Sequence, residues 1–381
     1  MLVLIYKNNL DHLLIKAHYK IITTSLIILI KIVFLQIQLI KIYITNYMQR
    51  IVWIDFCRGL FMMMILWFHT DYYYMGLYTI PYSMYVENSL IGFFFISGYL
   101  FFPYKKEMDI KKSIVRIIRK LVIPYLSIVP IIFIIKKSLQ NEFVLDDMFC
   151  SLLSGKASWF VASLILCHIY ITFVCSIKSS FITTAACSFP FLVLVTCSYL
   201  NVFNYIQLNI DTTSIVNVSA IILFFMLCGH IYRKYEKYID NIPKVTYIFI
   251  AAILIILKYI ENIHDIKMTL YIIIIDNYPL FTLDTLLWCI LVIGCCKLLH
   301  RVLLTTPCRY IEWIGSHSLI FYFICGGVPK ITSIIMHRIT ETYYCMMPIT
   351  FITVLLFSTI ITWLLYKCSP FRKYILGVDY Y

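Results

Sequence analysis

Charge is what this chain has least of. Asp, Glu, Lys and Arg make up 13% of its 381 residues, against roughly 25% in soluble globular domains. With 62% hydrophobic residues and a mean hydropathy of +0.87, that scarcity excludes a water-soluble protein and points to a polytopic membrane protein. Acidic residues are scarcer still, 19 against 32 basic, which leaves a net charge of +13. In so apolar a chain the basic excess reads as orientation in a bilayer, so the expected partner is lipid and no nucleic acid is expected. The 14 cysteines form no C-x2-C pair and no regular framework. Most of them, Cys295 and Cys296 included, stand inside apolar runs, where a thiol behaves as a small hydrophobe, so neither disulfides nor a metal site is expected. No internal repeat, direct or inverted, is present to suggest a transporter.

What is present is a series of apolar runs near the 20 residues that a span requires. They lie at 52–70, 83–103, 121–135, 158–177, 181–199, 214–232, 244–260, 280–298, 312–328 and 348–366. The fold class is therefore all-α, a polytopic membrane helix bundle of about ten transmembrane helices. The third run is short. Residues 268–276 are too few to cross and read as a re-entrant or interfacial piece before Pro279. With Arg50 placed in the cytoplasm, 19 lysines and arginines fall on its side and seven on the other, so both ends of the core face the cytoplasm. Residues 1–47, rich in Ile, Leu, Lys, Asn and Tyr, form neither a signal peptide nor a clean span. We expect translation to start at Met48, with 48–381 as the transmembrane domain; a peripheral helix at 21–44 is the competing reading.

One run carries an anomaly. The stretch RIVWIDFCRGLFMMMILWFH, residues 50–69, is built for lipid yet holds Asp55, Arg58 and His69. Each helical residue turns about 100° and rises about 1.5 Å, so Arg58 and His69, eleven steps apart, share a face about 16 Å from one another. Asp55 falls close to the same face. A charged residue in a span costs at least about 2.5–3.5 kcal/mol, and such residues usually face a protein interior and serve a function. The plainer alternative is a structural Asp55–Arg58 ion pair with a satisfied histidine at the far end.

This segment resembles the signature of the acyltransferase-3 family of integral membrane acyltransferases, whose first span carries an arginine, ten residues and a histidine. Other stretches resemble family elements in the same order: IGFFFISGYLFF (91–102), KKSIVRIIRKLVIPY (111–125) with its R-x-x-R pair Arg116 and Arg119, ASWFVASLILCHI (157–169), FMLCGHIYRKY (225–235), IGSHSLIFYFI (314–324) and SPFRKYILG (369–377). The resemblance runs from Met48 to Gly377 and is greatest to the fucose 4-O-acetylase-like branch. The chain departs at Cys325, where relatives often have histidine. A histidine role there is either absent or passes to His317 or another group.

The resemblance implies a bacterial inner-membrane enzyme. Such an enzyme moves an acyl group, acetyl foremost, from cytoplasmic acyl-CoA to a hydroxyl of a cell-surface or lipid-linked glycan, without a metal. The residues suit this. Coenzyme A is a polyanion, and Arg58, Arg116 and Arg119 form a basic entrance able to bind phosphate in bidentate fashion. His69 suits the general base that removes the acceptor proton, with Arg58 and His69 as the catalytic pair. Direct transfer is favoured over an acyl-enzyme on serine or cysteine. Asp55 and Glu87 are candidate supports, because Asp71 lies about 200° around the helix from His69. Ser97 and Gly98 read as close-packing residues. Tyr99, Trp159 and Tyr322 are candidates to line the acyl or pantetheine path but read more readily as core or interfacial aromatics, while His168, His230, His300 and His337 read as structural. The competing function is a transporter or flippase of a lipid-linked sugar, which requires charges near the middle of several spans or paired broken helices. Neither feature is visible in the sequence.

Overall fold

The computed structural model describes residues 51–76, 79–103, 109–138, 144–177, 179–200, 210–270, 274–302, 306–339 and 343–377. Residues 1–47, Met48, Arg50, Lys105, Lys106 and Lys178 lie outside them. The expectations for the N-terminal extension and part of the charge count therefore concern residues beyond this description.

Helices α1 (Val52–Met75) and α2 (Tyr82–Phe101) form an antiparallel hairpin at the centre of the bundle. Next come α3 (Ile110–Ile117), a π-helical turn (Ile118–Val122), α4 (Ile123–Ser138), the short α5 (Leu145–Leu153), α6 (Trp159–Cys175) and α7 (Ser180–Tyr199). Then follow α8 (Ile210–Asp240), α9 (Lys244–Ile263), a two-stranded hairpin of β1 (Met268–Thr269) and β2 (Ile274–Ile275), and α10 (Tyr278–Val302). Helices α11 (Thr306–Ser316), α12 (Ser318–Ile324), α13 (Val328–Ile339) and α14 (Tyr343–Lys367) precede a closing π-helical turn, Phe371–Ile375. Among the described residues nine helices are long and apolar enough to cross a membrane, or ten if the bent pair α12 and α13 counts as one span. Large apolar side chains such as Ile248, Phe249, Ile255 and Tyr259 on α9 are exposed, as a lipid-facing surface requires.

Two expectations are corrected. The third span is not short: it is one helix from Ile110 to Ile135, capped by the Asp109 carboxylate on the Lys112 N–H at 3.1 Å. The basic segment before the apolar run extends the helix, because lysine and arginine are good helix formers. The ninth span is broken, with α11 ending at Ser316, His317 capping α12, and α12 bent by 54° from α13. Within 268–276, Met268–Thr269 and Ile274–Ile275 pair as the antiparallel strands β1 and β2, too short to cross.

Two glycine crossings hold the centre. A Cβ at Gly98 would collide with the Met226 carbonyl on α8, and one at Gly229 with the Phe95 carbonyl on α2. Likewise, Gly59 on α1 meets the Ile311 carbonyl, and Gly315 on α11 meets that of Asp55. Backbones approach this closely in lipid only across residues without side chains. Phe61, Phe93, Phe94, Phe160 and Trp288 fill the space between the crossings.

Candidate active site

Helix α1 carries the anomalous residues along one straight face. Arg58 and His69 are both half-buried. The side chains standing on that face between them are Met62 and Ile65, 0% and 2% exposed, so this part of the face is packed rather than open. His69 lies in an aromatic setting: Phe68 at 5.5 Å, Tyr73 stacked at 6.2 Å, and Tyr82 against Phe68 at 5.0 Å.

At the other end of the face, Arg58 lies within electrostatic reach of His168 on α6. The Nε2 of His168 is 2.9 Å from the Ser97 hydroxyl on α2, and its ring stacks on Phe101 at 4.0 Å. These two residues were missed by the sequence reading, which made Ser97 a packing residue and His168 a structural one without a partner. Gly98 does pack as expected, whereas the Ser97 side chain turns to α6. The one sequence signal was depth, since both residues fall in the half of their spans that holds Arg58.

Arg116 and Arg119 are exposed at the end of the bundle where α1 begins. Their helix packs against α6, which carries His168. Gly377 of the C-terminal turn sits against the Arg119 carbonyl, so the tail closes on this basic helix. Asp55 lies within electrostatic reach of Glu312 on α11.

Glu87 is tied to the β-hairpin. Its Oε1 accepts the Leu270 N–H of the β-hairpin at 2.8 Å, and the Tyr82 side chain lies beside the same carboxylate. Ser89, two residues on, reaches Met64 of α1 at 3.2 Å. Asp71 is likewise engaged, accepting Thr79 N–H at 2.7 Å and Thr79 O–H at 2.6 Å, in keeping with its place around the helix. His317 is held by Trp313 carbonyl oxygen and Ser316, each at 2.8 Å, and Cys325 is buried at the end of α12. His230 stacks on Phe102 and His337 on Tyr74. Tyr99 donates to Glu236 at 2.7 Å, and Tyr322 and Trp159 pack on Phe160.

Two clusters of charge tie neighbouring helices together. Lys258 on α9 donates to Asp284 on α10 at 2.7 Å and to Glu261 at 3.0 Å, and Asn88 donates to the same Asp284 oxygen at 2.9 Å. Lys297 on α10 joins Glu236 and Asp240 of α8, each at 2.7 Å, under the rings of Trp53 and Tyr232. Both clusters lie toward the ends of their helices and tie neighbouring helices together. One bent helix pair is present among the described residues.

No curated protein and no solved structure matches the chain. The family model described as an acyltransferase domain matches residues 51–367, from the residue before α1 to the last residue of α14. That match takes in both ends of the Arg58–His69 face and every helix packed against it, and by it the chain belongs to the acyltransferase-3 family of membrane acyltransferases.

Proposed function

We propose that the protein is a membrane-bound O-acyltransferase. It moves an acyl group, acetyl foremost, from cytoplasmic acyl-CoA to a hydroxyl of a cell-surface or lipid-linked glycan. The site of action is the bacterial inner membrane, with the Arg58 end of the bundle in the cytoplasm. The observation that carries this reading is the placement of Arg58 and His69 on one face of α1 within a chain of this family.

Each group has a role in a single displacement. Arg116 and Arg119 attract the phosphates of the donor, and Arg58 supplies a fixed cation where the donor enters the bundle. His69 accepts the proton of the acceptor hydroxyl as its oxygen attacks the thioester carbonyl. The C–S bond breaks and coenzyme A leaves as the thiolate, to be protonated in water. General-base assistance of this kind contributes about 10²–10⁴-fold. Because Met62 and Ile65 pack the face between the two residues, the donor arm must part them to bring its thioester to His69. Mutual exclusion of water from the reacting groups follows from that packing.

The test is expression from Met48 in a bacterial host with defined surface glycans, followed by measurement of glycan O-acyl content. Wild type is expected to acylate, and His69→Ala and Arg58→Ala to lose acylation at unchanged membrane abundance. Normal acylation by both variants sinks the mechanism.

A further inference from the structure

The Ser97–His168 pair has chemistry that the displacement at His69 does not use. It joins α2 to α6 at 2.9 Å, beside Arg58 and on the Arg58 side of the Met62 and Ile65 packing. His168 is 8% exposed, and its ring is fixed by the Phe101 stack at 19° interplanar angle. In this contact the Ser97 hydroxyl donates when the neutral ring carries its proton on Nδ1 and accepts when the ring carries it on Nε2. Either tautomer leaves the pair one donor and one acceptor, the Nδ1–H with the Oγ lone pairs or the Ser97 O–H with the Nδ1 lone pair. The pair thus offers one acceptor and one donor, uncharged, beside Arg58.

An acyl-CoA donor brings a complementary need. Its pantetheine arm is neutral and carries two amides, whose N–H and C=O groups are costly to bury without partners. Resting on the donor proposed above, we propose that Ser97 and His168 form the subsite that holds the amide groups of this arm. The arm then lies between the arginines that take the phosphates and the α1 face that leads to His69. Ser97 is not a nucleophile in this arrangement. An acyl group on it would stand on the opposite side of Met62 and Ile65 from the base that activates the acceptor.

The experiment uses the full-length protein, purified in nanodiscs. Affinity is measured for coenzyme A and for its adenosine bisphosphate portion, which lacks the arm. Ser97→Ala and His168→Gln are each expected to weaken coenzyme A binding about five- to tenfold, the value of one hydrogen bond to a neutral group. Neither should change binding of the adenosine bisphosphate portion. Arg116→Ala should weaken both ligands. Unchanged coenzyme A affinity in Ser97→Ala overturns the subsite, as does equal weakening of both ligands. Detection of acylated Ser97 by peptide mass spectrometry after incubation with acetyl-CoA also overturns it, in favour of a covalent route. If wild type binds no coenzyme A, the donor assignment falls together with the subsite. If wild type binds and Ser97→Ala is indifferent, only the subsite falls.

Discussion

Arg58 and His69 share a face of α1, and Met62 stands between them with no exposed surface. The polar stripe read from the sequence is therefore interrupted by packed apolar side chains. A donor that travels along it must displace Met62 and Ile65.

This predicts a defect confined to transfer. Ile65→Trp adds volume to a position 2% exposed and should lower the acyl-transfer rate at least about tenfold by blocking the arm, with overpacking costing about 1–3 kcal/mol of stability. Coenzyme A affinity at the arginines should stay within twofold of wild type, roughly the limit for a site away from the change. Equal loss of binding and transfer would show that the face is not the donor's route.

The glycine crossings predict a contrast in abundance. Gly98→Ala drives a methyl group into the Met226 carbonyl, where neither backbone can yield cheaply, at a cost of about 1–3 kcal/mol or more. Gly326→Ala meets nothing within 4 Å and should be neutral. Folded protein recovered by size-exclusion chromatography in detergent measures both.

The Lys258 cluster predicts a penalty that a second substitution relieves. Lys258→Met leaves Asp284 and Glu261, 1% and 5% exposed, without their cation. Breaking a buried pair in this way costs about 3–5 kcal/mol. Adding Asp284→Asn removes the stranded charge, so the double variant should be more stable than Lys258→Met alone. A double variant less stable than the single one would mean that the cluster is not held by charge.

Glu87 and His69 are predicted to act independently. Glu87→Ala removes the acceptor of the buried Leu270 N–H and should cost about 1–3 kcal/mol, whereas Glu87→Gln keeps an acceptor oxygen and should cost less. In both variants the pH at which transfer falls off in acid, set by protonation of the base, should match wild type. A shift of that midpoint in Glu87→Gln would instead join Glu87 to the base.

Position along the chain decided how legible each feature was. Arg58 and His69 could be paired from sequence because eleven helical steps define their relation without reference to any other segment. The depth of Glu87 was visible in the sequence, whereas its contact with a hairpin 183 residues away was not. Ser97 and His168 are 71 residues apart, and no periodicity connects two different helices. The third span was shortened because its first turns are basic, although the helix continues through them.

Hydropathy alone dictated a bundle of about ten spans, and helical spacing the Arg58–His69 face. In lipid each span must satisfy its own backbone hydrogen bonds within about 20 residues, which makes span formation a local property. Which face of each helix meets which neighbour was decided only in three dimensions. The Ser97–His168 contact, the turning of Glu87 to Leu270, the Lys258–Asp284 tie and the break at His317 all depend on packing between helices that no single segment encodes.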